Sequence, residues 1–455
     1  MKKFFAILFV IICFVSMCAC GIRNPNEGDN GNAESGSLTI WTTGGPLRDT
    51  YEELAQDGHA DGLTTKFIMD SFHEKYPNTK ITLKEMGWGV DLNKALRDAF
   101  IVNKMPDIVC GEQFIKTQIK SNYFQKLEVP KETKNAISST FWDCVSDEEG
   151  NIYGYPYFTG DFVFMYNERL LKEAGVIKDD GSGVPSTMVE VQNAAAKVYN
   201  YFNKKVGGFA ISAIPSVSSA YRNVMLMQMF GGGFYDESGN LIINSKQSVE
   251  AMKWVQGVTA YAYPGNIAFN DETQISKMIW NDQVAMAIEL SNALYVDEGD
   301  GIDMSDWKTA PLPTVSGVDE TTNLLISNVS YMVTKSCKNV ALAQNFLEYL
   351  VSEEVQTKIY VQSSYRLPVR EDVILELMTS EEPAVVERNE LLFPAIDSIL
   401  TADNLVGGLP SFGSNYANIW NSWTSTIQNI ITGKDAQEYL NNFAKAVNDG
   451  GGVLQ

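Results

Sequence analysis

Between Ser37 and Cys110 the hydrophobic pattern switches back and forth between a strand period and a helix period, and no other feature limits the fold as strongly. Ser37-Leu-Thr-Ile-Trp41 reads as a strand, with Thr42-Thr-Gly-Gly-Pro46 as the loop at its C-terminal end. Ile68, Phe72 and Tyr76 recur at helical spacing, which predicts a helix over 63–76 that Pro77 stops. Lys80-Ile-Thr-Leu-Lys84 then alternates as a second strand, 91–102 as a second helix, and Asp107-Ile-Val-Cys110 as a third strand. Strands separated by helices need crossover connections, so the N-terminal part is α/β with a mostly parallel sheet.

The alternation resumes downstream. A helix over 167–175, a capping box at Thr187-Met-Val-Glu190, a strand-like segment over 208–214 and a helix over 221–230 precede the turn Gly231-Gly-Gly233. Val249, Met252, Val255 and Val258 mark an amphipathic helix, and Val284-Ala-Met-Ala-Ile288 reads as a buried strand. Val340, Ala343, Leu347 and Leu350 form a helical stripe, and a last helix starts at Asp435-x-x-Glu438. Residues 153–166, YGYPYFTGDFVFMY, divide in two. Phe162, Phe164 and Tyr166 alternate with Val163 and Met165 as a mostly buried strand, while 157–161 reads as a gripping edge. A chain of 455 residues exceeds what one core organises, which predicts two lobes.

The 56 acidic residues outnumber the 35 basic ones, for a formal charge of −21, which excludes the basic footprint that nucleic acid needs. The first residues, MKKFFAILFVIICFVSMCAC, have signal-peptide grammar, and the apolar run 4–15 is short for a membrane span of ~20 residues. Met17-Cys18-Ala19-Cys20-Gly21 resembles a bacterial lipobox, which makes 1–19 the signal, Cys20 the lipidated residue and 20–36 a flexible linker; an ordinary secretory signal is the alternative. Cys110, Cys144 and Cys337 form neither a disulfide framework nor a metal-ligand spacing and read as small buried hydrophobes, with at most one bridge among them. Only His59 and His73 occur, and no nucleotide, dinucleotide or zinc-protease motif is present. No catalytic residue, cofactor or metal is therefore expected.

Several segments, in order, resemble the extracellular solute-binding proteins of ABC importers, in particular the sugar-binding group. They are LTIWTTGG (38–45), FHEKYPNTKITL (72–83), MPDIVCGEQF (105–114), GNIYGYPYFTGDFVFMYNERLLKEAG (150–175), FGGGFYDESG (230–239), WNDQVAMAIELSNALY (280–295) and the run 328–368 containing ALAQNFLEYLVSEEVQ. The resemblance implies a two-lobed α/β periplasmic-binding-protein fold of class II type, with a cleft and a hinge of three crossings near residues 158, 312 and 352. Lobe 1 would be 37–158 plus 313–352, and lobe 2 would be 159–312 plus 353–455. It implies a monomeric, lipid-anchored protein on the outer face of the cell membrane that captures an oligosaccharide or other sugar by closing and delivers it to ABC permease subunits, not an enzyme. Two departures from the sugar group stand out: Met188 where a tryptophan is usual, and Glu289-Leu-Ser-Asn292 where a small pair and an aromatic are usual. The second means that a maltodextrin site does not transfer directly.

Ligands of open α/β sheets lie beyond the carboxyl ends of strands, and a sugar asks for flat rings and for charged or amide partners to its hydroxyls. In the first half these are Trp41, which is either core or cleft, Thr43 and Gly44 of the loop after it, Trp88 between two glycines, and Glu112 beyond the third strand. Tyr157, Phe158 and Asp161 flank the first crossing. In the second half they are Tyr221 and Arg222 before the glycine turn, Glu289 and Asn292 after a strand, Arg366 near the third crossing, and Trp420, with Trp423 read as packing. A non-sugar solute (peptide, polyamine or anion) is the alternative within binders; a secreted glycosidase or an adhesin are the alternatives outside them.

Overall fold

The computed structural model describes residues 32–111, 115–236, 240–263, 271–297, 300–316, 325–401 and 416–449. Its framework is seven hydrogen-bonded strands, β1 (Ser35–Thr42), β2 (Asn78–Glu85), β3 (Ile108–Gly111), β4 (Gly154–Asn167), β5 (Met286–Leu290), β6 (Trp307–Ala310) and β7 (Leu325–Val333), in the order β2-β1-β3-β7-β4-β5 with β6 also on β4. As the period switches predict, β1 is parallel to both β2 and β3, with the helices Ala60–Lys75 and Val90–Ile101 as crossovers. From β7 onward every pairing is antiparallel.

One strand belongs to two sheets. Gly154 to Asp161 of β4 pair with β7, and from Phe162 onward β4 pairs with β5 and β6. The change follows register shifts between Pro156 and Phe158 and between Phe158 and Gly160, and bulges of this kind bend and twist a strand. The alternation beyond them feeds opposite cores. Phe162 and Phe164 enter one that holds Trp420 and Trp423, while Val163 and Met165 enter the other, continuous with the packing around β1 and β3.

The second connection leaves β6 at Ala310 and reaches β7 at Leu325. The helix Glu353–Gln362, beyond the expected third crossing, still packs on Ala60–Lys75. Only the segment after it reaches β4, where Leu367 and Thr159 exchange backbone hydrogen bonds of 2.9 and 3.0 Å.

The capping box is present, with Thr187 Oγ1 accepting from Glu190 N at 3.2 Å and the Glu190 carboxylate accepting from Thr187 N at 3.1 Å. The strand expected over 208–214 is not regular. Gly207 bridges Val284 and Ala210 N donates to the Met286 carbonyl at 2.9 Å, but the chain then turns into the helix Val217–Met229. Gly207 and Gly208 press their backbones against Tyr263 and Ala195 too closely for any Cβ, and this approach replaces a ladder. Cys110, Cys144 and Cys337 form no disulfide with one another; Cys110 and Cys337 are buried as expected, whereas Cys144 is only partly buried. Cys20 and the rest of the leader lie outside the described residues.

Candidate functional site

A cleft of about 690 Å³ opens where β4 changes sheets, between the β1-β2-β3 half and the β5 half. Six of the residues expected from sequence line it: Trp88, Phe158, Arg222, Glu289, Asn292 and Arg366. Among the described residues no group of three or more His, Cys, Asp or Glu is placed to hold a metal ion.

Trp88 stands on the first wall because of its neighbours. Gly87 and Gly89 have φ of +76° and +61°, so the backbone turns at both and lifts the indole off the surface, leaving it 49% exposed. An apolar ring of that size, exposed on a cleft wall, offers a flat face to a ligand. The loop after β1 behaves otherwise. Thr43 is buried, with Oγ1 3.5 Å from Cys110 Sγ, and a Cβ on Gly44 would crowd Glu85 and Arg48 at 3.0 and 3.1 Å. Trp41 is half-buried against the first core, with Lys84 Nζ 5.6 Å from its ring centroid. The loop folds back because Thr42 Oγ1 donates to the Leu47 carbonyl at 2.7 Å and accepts from Tyr331 at 3.0 Å. What it gives the cleft is Arg48, held 3.2 Å from Glu85. Tyr157 supports the same loop from beneath: its ring is buried and its hydroxyl donates to the Pro46 carbonyl at 3.1 Å.

The opposite wall is ionic. Arg222, from the helix Val217–Met229, meets Glu289 of β5 in a bidentate pair, Nη2 to Oε1 at 2.6 Å and Nε to Oε2 at 2.8 Å, with side chains only 7% and 2% exposed. The strand Met286–Leu290 brings Glu289 up beneath the helix, Leu290 N donates to its Oε1 at 2.9 Å, and the Phe162 ring lies 5.8 Å from the guanidinium. Buried charges persist where hydrogen bonds compensate them, and this geometry does so. Asn292 follows in the helical turn Ser291–Leu294. Between the walls, the Arg366 guanidinium lies 5.2 Å from the centroid of the Phe158 ring.

Trp420 does not line the cleft. It is buried in the second core with Phe234 at 5.6 Å, beside Trp423, whose Nε1 donates to the Ala220 carbonyl at 3.2 Å. The same helix, Tyr416–Ile431, turns Asn421 and Thr424 to the cleft instead. Glu112 lies outside the described residues, as do the side chains of Asp161 in β4 and Tyr221 in its helix. Sequence reasoning passed over Arg48, Asn421, Thr424 and Asp297. Only Arg48 had a signal, a cation at the end of a strand-following loop.

A family model described as bacterial extracellular solute-binding protein matches residues 68–393. The arabinooligosaccharide-binding protein of Bacillus subtilis (strain 168) is 25% identical over 394 residues, 82% of each chain. A probable ABC transporter-binding protein of Deinococcus radiodurans is 24% identical over 307 residues, 63% of this chain and 66% of its own. Among solved structures, maltose-bound MalE3 of T. maritima superposes with a TM-score of 0.74 at 17% identity, covering 91% of this chain and 99% of that one. An ABC transporter solute-binding protein of Thermotoga lettingae TMO bound with alpha-D-tagatose gives 0.71 at 20% identity, covering 92% and 100%. These likenesses establish the two-lobed α/β architecture.

Proposed function

The chain belongs to the bacterial extracellular solute-binding protein family, and from that premise we propose that it captures a short oligosaccharide in its cleft and delivers it to the membrane subunits of an ABC importer. The observation that carries this reading is the pairing of an exposed indole, Trp88, with the Arg222–Glu289 pair and the amides of Asn292 and Asn421 around one cleft. A ring meets the C–H face of a sugar, and charged or amide groups meet its hydroxyls. A volume of about 690 Å³ suits a ligand of a few sugar units. The B. subtilis relative, named for arabinooligosaccharides, supports the same class.

Closure would bring both walls onto one ligand, and a ligand that binds both lobes favours the closed state by its differential affinity. The sheet change within β4 supports a hinge there, with lobe 1 built on 37–158 plus 313–352 and lobe 2 on 159–312 plus 353–455; the helix Glu353–Gln362, which packs on Ala60–Lys75, is the exception. In this reading the protein is a monomeric binder without turnover.

Titrating arabino- and malto-oligosaccharides while following tryptophan fluorescence tests the assignment. Saturable change without hydrolysis is expected for at least one series, and Trp88→Ala is expected to weaken it by roughly 30-fold, the ~2 kcal/mol of one buried indole face. Turnover of the sugar, or saturation only with a peptide, polyamine or anion, overturns it. Lipidation of Cys20 accompanies this reading. Cys20→Ala is expected to move the protein from the membrane fraction into the medium, and a variant that stays with the membrane refutes the anchor.

A further inference from the structure

The helix Ala60–Lys75 begins beside a carboxylate that the other half of the molecule supplies. Asp297, in the loop after β5 and the turn Ser291–Leu294, directs Oδ1 to Ala60 N at 3.4 Å and Oδ2 to His59 Nε2 at 3.6 Å. Tyr295 donates its hydroxyl to the same Oδ1 at 3.1 Å. The helix packs on β2, whereas Asp297 follows the strand that pairs with the far end of β4, so the contact joins the two walls directly.

The chemistry suits a tie. The first amides of a sixteen-residue helix carry a partial positive charge that favours a carboxylate. His59 Nδ1 accepts from Asp61 N at 3.2 Å, so in the neutral ring the hydrogen sits on Nε2, which faces Asp297. Burial, followed by the charges of Asp297 and Asp61, pushes the Tyr295 phenol up, which keeps it a donor. The third connection meets the same point. Asp61 Oδ1 accepts from Ser364 Oγ at 3.2 Å, Ser291 Oγ donates to the Tyr365 carbonyl at 3.1 Å, and the rings of Tyr295 and Tyr365 meet edge-on at 5.4 Å.

We propose that Asp297 is a positioning residue for capture: by capping the helix Ala60–Lys75 from the opposite lobe, it sets how far the lobes part. His59 and Tyr295 hold its carboxylate in place. The tie forms without ligand and uses neither Trp88 nor the Arg222–Glu289 pair; Asp297, His59 and Tyr295 do border the cleft, so the scattering of the unliganded protein, not the sugar kinetics, decides it. It rests on the capture reading only for its kinetic consequence.

Small-angle scattering of the mature protein and of Asp297→Ala and Asp297→Asn, each with a thermal melt, tests the tie without any sugar. The expected result is a larger radius of gyration for Asp297→Ala with the cooperative melt retained, and smaller rises of the same sign for Asp297→Asn, which keeps an acceptor for Ala60 N but loses the charge, and for His59→Ala. Unchanged scattering in both Asp297 variants overturns the proposal. So does expansion that appears only with loss of the cooperative melt, which would make Asp297 a folding residue. With arabinotriose as the probe, the off-rate is expected to rise roughly tenfold, as for loss of one charge-assisted hydrogen bond, with little change in on-rate. Should neither the arabino- nor the malto-oligosaccharides bind the unaltered protein, the sugar reading fails while the scattering result still decides the tie.

Discussion

Glu289→Ala is expected to lower unfolding stability in a urea melt by about 3–5 kcal/mol and to abolish ligand capture. The substitution removes the bidentate carboxylate from a guanidinium that is 7% exposed and cannot lose its proton, so a buried charge loses its carboxylate acceptors. Both Nε and Nη2 of Arg222 would lose the acceptors now at 2.6 to 3.0 Å. The Ser218 carbonyl, 3.3 Å from Nη1, would remain, but a neutral acceptor does not balance a cation. Stability and recognition separate in a second variant. Arg222→Met combined with Glu289→Leu replaces the pair by apolar side chains of similar volume, which restores much of the stability because neither partner is left unpaired. If the pair also recognises the ligand, the double variant folds but does not bind. A cost below about 1 kcal/mol for Glu289→Ala would mean that water already reaches the pair.

The alternation that fixes β1, β2 and β3 was legible because each switch of period is local: a strand or a helix declares itself within ten or so residues. The same holds for the two faces of β4, where Phe162 and Val163 point to different cores as period-2 alternation requires. Trp88 was legible for a related reason, since glycines on both sides leave an indole little to pack against. Other site residues depend on packing that no local pattern encodes. Trp420 and Asn421 are neighbours on one helix, and which of them faces the cleft is set by Phe234, whose ring packs on both Trp420 and Trp423 in the core. Thr43 and Gly44 sit in a loop of the expected kind, yet the hydroxyls of Thr42 and Tyr157 pull that loop inward and leave Arg48 at the cleft. Asp297 lies 237 residues from Ala60, so its role could not be read from either segment alone.

The other large effect is expected beside the register shifts of β4, where Gln356→Met should cost at least about 3 kcal/mol, since three buried backbone groups lose their partner and each orphan costs roughly 1–3 kcal/mol. Gln356 is fully buried. Its Nε2 donates to the carbonyls of Tyr157 at 2.8 Å and Leu350 at 2.9 Å, and its Oε1 accepts from Val369 N at 2.8 Å. Tyr157 is the residue that the first register shift leaves over, between Pro156 opposite Ser330 and Phe158 opposite Val329. A bulged residue has no ladder partner, so its carbonyl needs another donor, and one side-chain amide provides it. That amide also ties the end of the helix Val340–Leu350 to the segment returning past β4, so it holds the first connection against the third. Methionine keeps the volume and removes the hydrogen bonds, which rules out a cavity as the cause of any loss. Hydrogen exchange at the Val369 amide is expected to quicken along with the fall in stability. If the methionine variant melts like the parent and the Val369 amide stays protected, the bulge is satisfied by other means and this stretch of β4 does not depend on the side chain.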